Sequence, residues 1–359
     1  MKIYVHGCGT VGGAERVMLK VAEVLTELKE KYDLYLICSY VGGMSPCVSC
    51  DEMITLPMLN GLGSINELAQ KLATLRKYRD VDIIFAHTSL LPVKKPVKVM
   101  IDGRDWDKFF KFYLNWRGKL LNYPLKKIRD LYVSMPNTLI LLLNKNSFQY
   151  YGRRNSNIRH ISNGIDDDVK KLYQRKFRRR WDFIYVGRFS EEKNPPQLVI
   201  DTFKDKPYRG LMVGADKEYT VVGNIVVKAF SPRKDVLRMM KESKVLILPS
   251  RHEVFPLVLL EALALGVPSI VSDSIQTEIS RYTIPFRCCD KRDLYETFLY
   301  VMENYPYYEK RYRKISRLIL KKYDWDEILK KALTTILETY KSEKNKQTLD
   351  KSCKVSWID

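Results

Sequence analysis

The sequence predicts an α/β protein built from two doubly wound domains, each with a mainly parallel sheet. Short β-rich runs alternate with helical stretches from one end of the 359-residue chain to the other. Several of these runs are apolar throughout, which is typical of strands covered on both faces. A chain of this length also has enough residues for two separate hydrophobic cores.

Candidate strands fall into two series. The first series comprises KIYVHG (2–7), YDLYLICS (32–39), DEMITLP (51–57), VDIIFAH (81–87), VKVMID (97–102) and TLILLLN (138–144). The second series comprises DFIYVGR (182–188), GLMVGA (210–215), NIVVKAF (224–230), VLILPS (245–250) and VPSIVSD (267–273). Helical segments intervene in both, so each series predicts one parallel sheet with ligands binding at the carboxyl ends of its strands.

A glycine loop follows the first strand. Gly7, Gly9 and Gly12 have the G-x-G-x-x-G spacing, and an amphipathic helix comes next. A dinucleotide site would need an acid at the end of the second strand, where this chain has Ser39 and Tyr40. We therefore expect a loop that admits another ligand close to the backbone, with Gly12 and Gly13 nearest to it.

A polar, strongly basic segment, DDDVKKLYQRKFRRRW (166–181), separates the two series and is the predicted linker. We expect an N-terminal domain over 1–170 and a C-terminal domain over 171–323. A closing helix follows over 324–341, and 342–359 has the composition of a solvated polar tail. The three aspartates 166–168 resemble a metal-binding motif by composition alone.

The composition favours an anionic partner. The formal net charge is +20, which attracts phosphorylated ligands, anionic lipid surfaces or nucleic acid without choosing among them. No apolar run is long enough to span a bilayer, and the N-terminus reads as a strand rather than a signal peptide. We therefore expect a cytoplasmic protein. Cys47 and Cys50 form a C-x-x-C with no second pair, so we expect reduced thiols and not a zinc site.

The segment HEVFPLVLLEALALGVP (252–268) contains two carboxylates, Glu253 and Glu261, in an apolar context. Ser250 to Val254 form the loop after a buried strand, and Pro256 suits the first position of a helix that Gly266 ends. The free N–H groups of such a helix start can bind a diphosphate, with an acid on either side for hydroxyls. A structural interpretation stays open: Glu253 as a surface acid and Glu261 as a buried, paired one.

Two cations follow the first strand of the second series. Arg188 and Lys193 lie in VGRFSEEKN, at the same predicted sheet edge as the two glutamates. Together they can neutralise a diphosphate and stabilise it as it departs, without a metal ion.

These segments resemble a known family. GGAE after the first strand, SNGID (162–166), VGRFSEEKN and EVFPLVLLEALALGVP occur in the order seen in retaining nucleotide-sugar glycosyltransferases of group 1. The resemblance covers most of residues 1–340 and is strongest around the E-x7-E motif. It implies the GT-B fold, with two Rossmann-like domains facing a central cleft and a C-terminal helix that crosses back to the first domain.

The resemblance also implies the roles of individual residues. Glu253 would be a catalytic residue that binds hydroxyls of the donor sugar, and Glu261 would bind the ribose hydroxyls of a UDP- or GDP-sugar. Arg188 and Lys193 would hold the diphosphate as catalytic cations. The remaining donor contacts would come from Gly12, Gly13, Phe255, Pro256 and Leu257. Members of the family transfer sugars with retention, generally without a metal ion, and no cofactor is expected.

The chain departs from the family pattern in two places. Pro256 stands where many members have glycine, which the start of a helix tolerates. Members often have a histidine after the strand equivalent to VKVMID, where this chain has Ile101 and Asp102. Asp102 could serve the acceptor instead, and His87 at the end of the preceding strand is a second candidate.

The acceptor and alternative functions stay open at this point. The aromatic and basic segment Asp107 to Tyr132 suits an anionic membrane surface and a lipid- or saccharide-linked acceptor. A nucleic-acid partner is less favoured, because no binding module accompanies the charge. The alternatives are a sugar-nucleotide epimerase or hydrolase on the same scaffold, and a non-catalytic polyanion-binding protein.

Overall fold

The computed structural model of the protein describes residues 1–8, 13–41, 48–56, 72, 80–87, 92–94, 96–102, 116–189, 196–215, 219–221 and 224–349. Its contacts divide the chain into two compact units. The first unit combines Met1–Ser162 with Asp326–Asp359, and the second is Asn163–Trp325. Each unit has its own sheet and its own core.

The sheet of the first unit has seven parallel strands among the described residues. They are β1 (Lys2–Cys8), β2 (Tyr35–Val41), β3 (Glu52–Leu56), β4 (Ile83–Ala86), β5 (Val97–Asp102), β6 (Thr138–Leu142) and β7 (Ile158–His160). Their order is β3-β2-β1-β4-β5-β6-β7, so the direction of winding reverses between β1 and β4. The central strands β4 and β5 are almost wholly buried, as their continuous apolar sequences predict.

Helices cover this sheet. The described ones are α1 (Gly13–Glu27), α2 (Lys29–Tyr32), α3 (Trp116–Val133) and α4 (Phe148–Gly152). The predicted apolar face of α1 is buried along its length, comprising Val17, Val21, Val24 and Leu25, with Leu28 just beyond the helix.

The sheet of the second unit repeats the arrangement. Its strands are β8 (Trp181–Val186), β9 (Gly210–Ala215), β10 (Tyr219–Val221), β11 (Ile225–Ala229), β12 (Ser243–Leu248), β13 (Ser269–Ser272) and β14 (Ile284–Phe286). The order is β10-β11-β9-β8-β12-β13-β14, and only the edge pair β10–β11 of these described strands is antiparallel. The reversal of winding lies between β8 and β12.

The helices described in the second unit are α5 (Asp167–Tyr173), α6 (Pro196–Phe203), α7 (Arg233–Lys241), α8 (Leu257–Ala264), α9 (Lys291–Glu303) and α10 (Tyr305–Lys322). α8 is apolar almost all round and packs against α10, where Ser316 Oγ donates to the carbonyl oxygen of Ala264 at 2.5 Å. α8 is thus enclosed by the core instead of lying on the surface.

The last helix, α11 (Trp325–Leu349), belongs to the first unit from Asp326 onward. Tyr32 OH donates to Glu338 Oε1 at 2.8 Å, and Tyr340 OH donates to Asp82 Oδ1 at 2.8 Å. The first unit is therefore discontinuous in sequence, and α11 is part of its second segment. Among the described residues, no helix combines the length and apolar character needed to cross a membrane.

The predicted fold class is confirmed: both units are doubly wound α/β structures. The sequence did not predict β7, β10 and β14, which have three residues each. Part of the predicted linker is folded, because α5 buries Val169 completely. α11 continues to Leu349, so the first part of the expected polar tail is helical.

Candidate functional site

The candidate site lies at the carboxyl edge of the second sheet, where winding reverses between β8 and β12. Open α/β sheets bind ligands at such a reversal because the loops diverge there and leave a crevice. Arg188 follows β8, and the loop carrying Glu253 follows β12. β8 and β12 are hydrogen-bonded parallel neighbours, so Arg188 and Glu253 follow adjacent strands at the same edge of the sheet.

Serine hydroxyls fix the loop after β12. Ser250, which is fully buried, donates from Oγ to Glu253 Oε1 at 2.9 Å. Ser274 Oγ donates to the carbonyl oxygen of Ser250 at 3.1 Å and lies 2.7 Å from Ser272 Oγ. The Glu253 carboxylate is therefore tied, through Ser250, to the segment after β13.

Tyr185, near the end of β8, connects the arginine to this loop. Its hydroxyl donates to the carbonyl oxygen of Arg188 at 2.9 Å. Burial, followed by the negative charge of Glu253, raises the pKa of the Tyr185 phenol, and the charge of Arg188 acts in the opposite direction. Tyr185 is thus a neutral hydrogen-bond donor that fixes the backbone of Arg188, and its hydroxyl lies close enough to Glu253 and Arg188 for both charges to affect its pKa.

Gly214 is a site-supporting residue that sequence analysis did not identify. Its φ is +121°, and a Cβ at this position would lie 2.2 Å from the carbonyl oxygen of Gly187. Only glycine lets the end of β9 come this close to the backbone that precedes Arg188. The glycine in GLMVGA was a signal for such an approach.

The start of α8 is built as the sequence predicted, with a shift of one residue. Pro256 is the extended N-cap (φ −71°, ψ 112°), and the helix begins at Leu257. Asn163, from the SNGID segment, donates from Nδ2 to the carbonyl oxygen of Phe255 at 3.1 Å. Gly266, with φ +71°, follows the helix end. The first-turn N–H groups of α8 have no acceptor within the helix, which suits them to an anion.

Glu261 lies inside the second unit with 6% of its surface exposed. Its Oε1 accepts from Arg233 Nη2 at 2.7 Å. The same guanidinium contacts Asp168 and lies 3.4 Å from Asp166. Glu261 is therefore a buried, ion-paired acid, as the structural interpretation required, and its ribose-binding role stays a prediction.

Asp102, the acceptor-side candidate in the first unit, ends β5 and is 5% exposed. Its Oδ2 contacts the guanidinium of Arg129 and accepts from Tyr151 OH at 3.0 Å. Although burial opposes the charged guanidinium, Tyr151 and Asp102 raise the pKa of Arg129. These contacts favour a structural role for Asp102. The other candidate, His87, follows β4 and is half-buried.

Ser39 stands where a dinucleotide site would have an acid, and it fixes the end of β1 instead. Its Oγ accepts from Tyr4 OH at 2.8 Å and from the N–H of Gly7 at 3.1 Å. Gly7 has φ +77°, and buried His6 lies with Nδ1 3.0 Å from Tyr4 OH. His6, which sequence analysis did not single out, is thus held at the carboxyl edge of the first sheet.

Other predicted residues lie outside the described part of the chain. These are Gly9, Gly12, Lys193 and Cys47. Gly13 is the first residue of α1. Within the described ranges, no cluster of three or more His, Cys, Asp or Glu side chains could hold a metal ion. Asp166 and Asp168 instead contact Arg233.

Comparison with known sequences identifies two similarities. The profile of the family described as "Glycosyl transferases group 1" matches residues 168–280, which include Arg188, Glu253 and Glu261. An uncharacterized 41.2 kDa protein in the cps region of Klebsiella pneumoniae is 25% identical over 297 residues, covering 72% of this chain and 79% of the relative.

Solved structures share the fold across almost the whole chain. Sucrose-phosphate synthase from Thermosynechococcus elongatus is 11% identical with a TM-score of 0.71, covering 95% of this chain and 100% of that structure. WaaG, a glycosyltransferase of lipopolysaccharide biosynthesis, is 13% identical with a TM-score of 0.68, covering 92% and 98%. HepE from Anabaena, solved with UDP and glucose, is 13% identical with a TM-score of 0.63, covering 94% and 99%. The fold is therefore that of the GT-B glycosyltransferases.

Proposed function

We propose that the protein is a retaining, metal-independent glycosyltransferase that moves a sugar from a nucleoside-diphosphate sugar to an acceptor hydroxyl. One observation carries the proposal: Arg188, Glu253 and the N-terminus of α8 share the carboxyl edge of the second sheet at its reversal of winding. The glycosyl transferases group 1 profile matches this same segment. A cation, a sugar-binding acid and a helix start are what a sugar diphosphate requires.

Each part of the donor has a matching group. The diphosphate binds at the backbone around Phe255, Pro256 and Leu257, with Arg188 and Lys193 supplying positive charge. Glu253, fixed by Ser250, accepts hydrogen bonds from the donor sugar. Glu261 accepts hydrogen bonds from the ribose. Gly12, in the glycine loop, and Gly13, the first residue of α1, are the further proposed donor contacts.

The reaction needs stabilisation of the leaving group more than a protein base. The bond between the anomeric carbon and the diphosphate oxygen breaks, and the acceptor oxygen bonds to the anomeric carbon on the same face. The acceptor proton passes to the departing phosphate. Negative charge therefore develops on the diphosphate, where Arg188, Lys193 and the α8 N–H groups stabilise it.

UDP is the first nucleotide to test, with GDP as the comparison. HepE was solved with UDP and glucose and with UDP-glucose, and a structure from E. coli described as trehalose-6-phosphate was solved with UDP-2-fluoro glucose. These structures support a nucleoside-diphosphate sugar as the donor. Which nucleotide base this chain prefers is a separate measurement.

The acceptor is proposed to be lipid- or saccharide-linked and presented at an anionic membrane surface. WaaG acts in lipopolysaccharide biosynthesis, and the Klebsiella relative is encoded in a cps region. The described part of Asp107 to Tyr132 includes the exposed Tyr123 and Leu131 and the cation Lys127, which lies over the Tyr123 ring. The cytoplasmic localisation stays a prediction.

Helix α10 offers a further basic surface that suits an anionic partner. Six of its exposed residues recur at spacings of three and four, which places them on one face about 21 Å long. They are Tyr307, Lys310, Lys314, Arg317, Leu318 and Lys321. Basic side chains interleaved with tyrosine and leucine suit an anionic lipid interface. Sedimentation with vesicles of anionic or neutral phospholipid tests this, using a Lys310→Gln, Lys314→Gln, Arg317→Gln variant.

The donor proposal is tested by thermal stabilisation of the metal-free protein with UDP, GDP, ADP and TDP and their common sugars. We expect one nucleotide series to raise the Tm of the wild type and to lose this effect in Glu261→Ala. Turnover with an acceptor, followed by NMR of the anomeric proton, then tests retention. Donor breakdown at a useful rate without acceptor would indicate an epimerase or hydrolase. Absence of any nucleotide effect, with salt-dependent binding of lipid or nucleic acid, would indicate a polyanion-binding protein.

A further inference from the structure

Arg233 connects three segments of the second unit that are distant in sequence. It is the first residue of α7. Its Nη2 donates to Glu261 Oε1 in α8 at 2.7 Å and lies 3.4 Å from Asp166 Oδ2, while its Nη1 contacts Asp168 near the start of α5. One guanidinium thus bridges the carboxylate of the E-x7-E helix to Asp166, the last residue of the SNGID segment, and to Asp168, two residues later.

Glu261 depends on this ion pair more than Arg233 does. The Glu261 side chain is 8% exposed, and an ionised carboxylate at that depth is unfavourable unless a cation compensates it. Arg233 provides that charge. Its other terminal nitrogen, Nη1, contacts Asp168, which is half exposed, while Asp166 lies near the same nitrogen as Glu261. The guanidinium is planar, so two of its nitrogens can contact different carboxylates and fix its own orientation.

We infer that Arg233 is a positioning residue for the donor ribose: it holds the ionised Glu261 carboxylate in the orientation that accepts hydrogen bonds from the ribose hydroxyls. This inference rests on the proposed function. It also gives Asp166 and Asp168 a role, because these acids fix the cation that fixes Glu261. A carboxylate that is charged and already oriented loses less entropy when the nucleotide binds.

A role of Arg233 in ribose binding predicts a change in nucleotide selectivity that a purely structural role does not. If Arg233 acts through Glu261 on the ribose, its loss removes discrimination between ribose and deoxyribose. Loss of general stability would instead weaken the binding of both nucleotides by a similar factor. The measurement is therefore the ratio of Kd values for a nucleoside diphosphate and its 2′-deoxy and 3′-deoxy counterparts.

The proteins to compare are the wild type, Glu261→Gln, Arg233→Met, Arg233→Lys and the control Arg238→Met. Arg238 lies on the same helix, is exposed and pairs with Glu242 at 3.6 Å, away from Glu261. Arg233→Lys retains a positive charge beside Glu261, so it keeps the comparison available if Arg233→Met does not fold. Isothermal titration with UDP and GDP and their deoxy forms, at one salt concentration, gives the ratios.

We expect the wild type and Arg238→Met to prefer the ribonucleotide by about tenfold, the effect of one hydrogen bond to a charged group. Glu261→Gln, Arg233→Met and Arg233→Lys should bring the ratio close to one, with the Kd of the deoxy form changing less than threefold. If Glu261→Gln loses the preference while both Arg233 variants keep it, the inference about Arg233 is wrong and the donor site stands. If the wild type binds no nucleoside diphosphate, the proposed function fails and the inference fails with it.

Discussion

Ser250 Oγ donates a hydrogen bond to Oε1 of Glu253 across the loop that follows β12, over a distance of 2.9 Å. Ser250 is fully buried, and its own carbonyl oxygen accepts from Ser274 Oγ. The first glutamate of the E-x7-E motif is therefore anchored by a hydroxyl three residues before it. The second glutamate is held by Arg233, so the two acids of the motif are oriented by different chemistry.

We expect Ser250→Ala to lower kcat/KM for the donor by about tenfold, because Glu253 loses the charge-assisted hydrogen bond that orients it. Steady-state kinetics with the sugar nucleotide measure this. Ser269→Ala is the matched control, since Ser269 is also buried on this sheet and donates to the carbonyl oxygen of Val267. Equal losses in both variants would mean that the effect comes from general packing and not from Glu253.

Arg188→Met should lower kcat by a factor of about 10² to 10³, because in the proposed reaction this cation stabilises charge that develops on the departing diphosphate. The KM for the donor should change much less, and Arg188→Lys should recover part of the rate. Arg209→Met is the control: Arg209 is exposed and precedes β9, at the amino edge of the same sheet. A variant that changes only KM would show that Arg188 binds the ground state and the transition state equally.

Arg129→Met should lower the free energy of unfolding by about 3 to 5 kcal/mol, because it leaves the Asp102 carboxylate buried without its cation. Arg154→Met should cost less, since Asp130, with which Arg154 pairs at 3.3 Å, is more accessible than Asp102 and can be solvated when the cation is lost. Denaturant unfolding of both variants gives the comparison. If Arg129→Met unfolds no more easily than Arg154→Met but loses acceptor transfer, Asp102 serves the reaction and not the fold.

Lys98 predicts a pH dependence of stability. It is fully buried in β5, where its Nζ donates to the carbonyl oxygen of Val93 and to Asn137 Oδ1, both at 2.7 Å. Burial lowers the pKa of Lys98 to about 8. Between about pH 8 and the ordinary lysine value, the unfolded chain binds more protons than the folded chain, so this residue's contribution to stability increases with pH.

The measurement is the free energy of unfolding of the wild type and of Lys98→Met from pH 7 to 10.5. As the pH rises above about 8, we expect the free energy of unfolding of the wild type to increase relative to that of Lys98→Met. Lowering the pH below about 8 should reverse this relative gain. Lys127→Met, on the exposed part of α3, should show no such trend. A pH-independent difference for Lys98→Met would contradict the lowered pKa.

Sequence patterns predicted the buried strands better than the contacts that orient the site. β5 and β9 have the predicted bounds, 97–102 and 210–215, because each is a continuous apolar run that must be covered on both faces. β7, β10 and β14 are too short for a pattern to be distinguished from a loop. Glu253 and Glu261 were found from their spacing along one segment. Arg233 was not, because its partners come from segments about 65 and 28 residues away.

The return of α11 to the first unit has a consequence for synthesis of the chain. A ribosome releases residues 163–325 before it releases the helix that carries Glu338 and Tyr340, the partners of Tyr32 and Asp82. The second unit can therefore be complete while the first still waits for its last segment. A truncated product ending before residue 326 would expose the surface that α11 covers and would be a substrate for quality-control proteases. The first unit can therefore finish folding only after α11 has been synthesised.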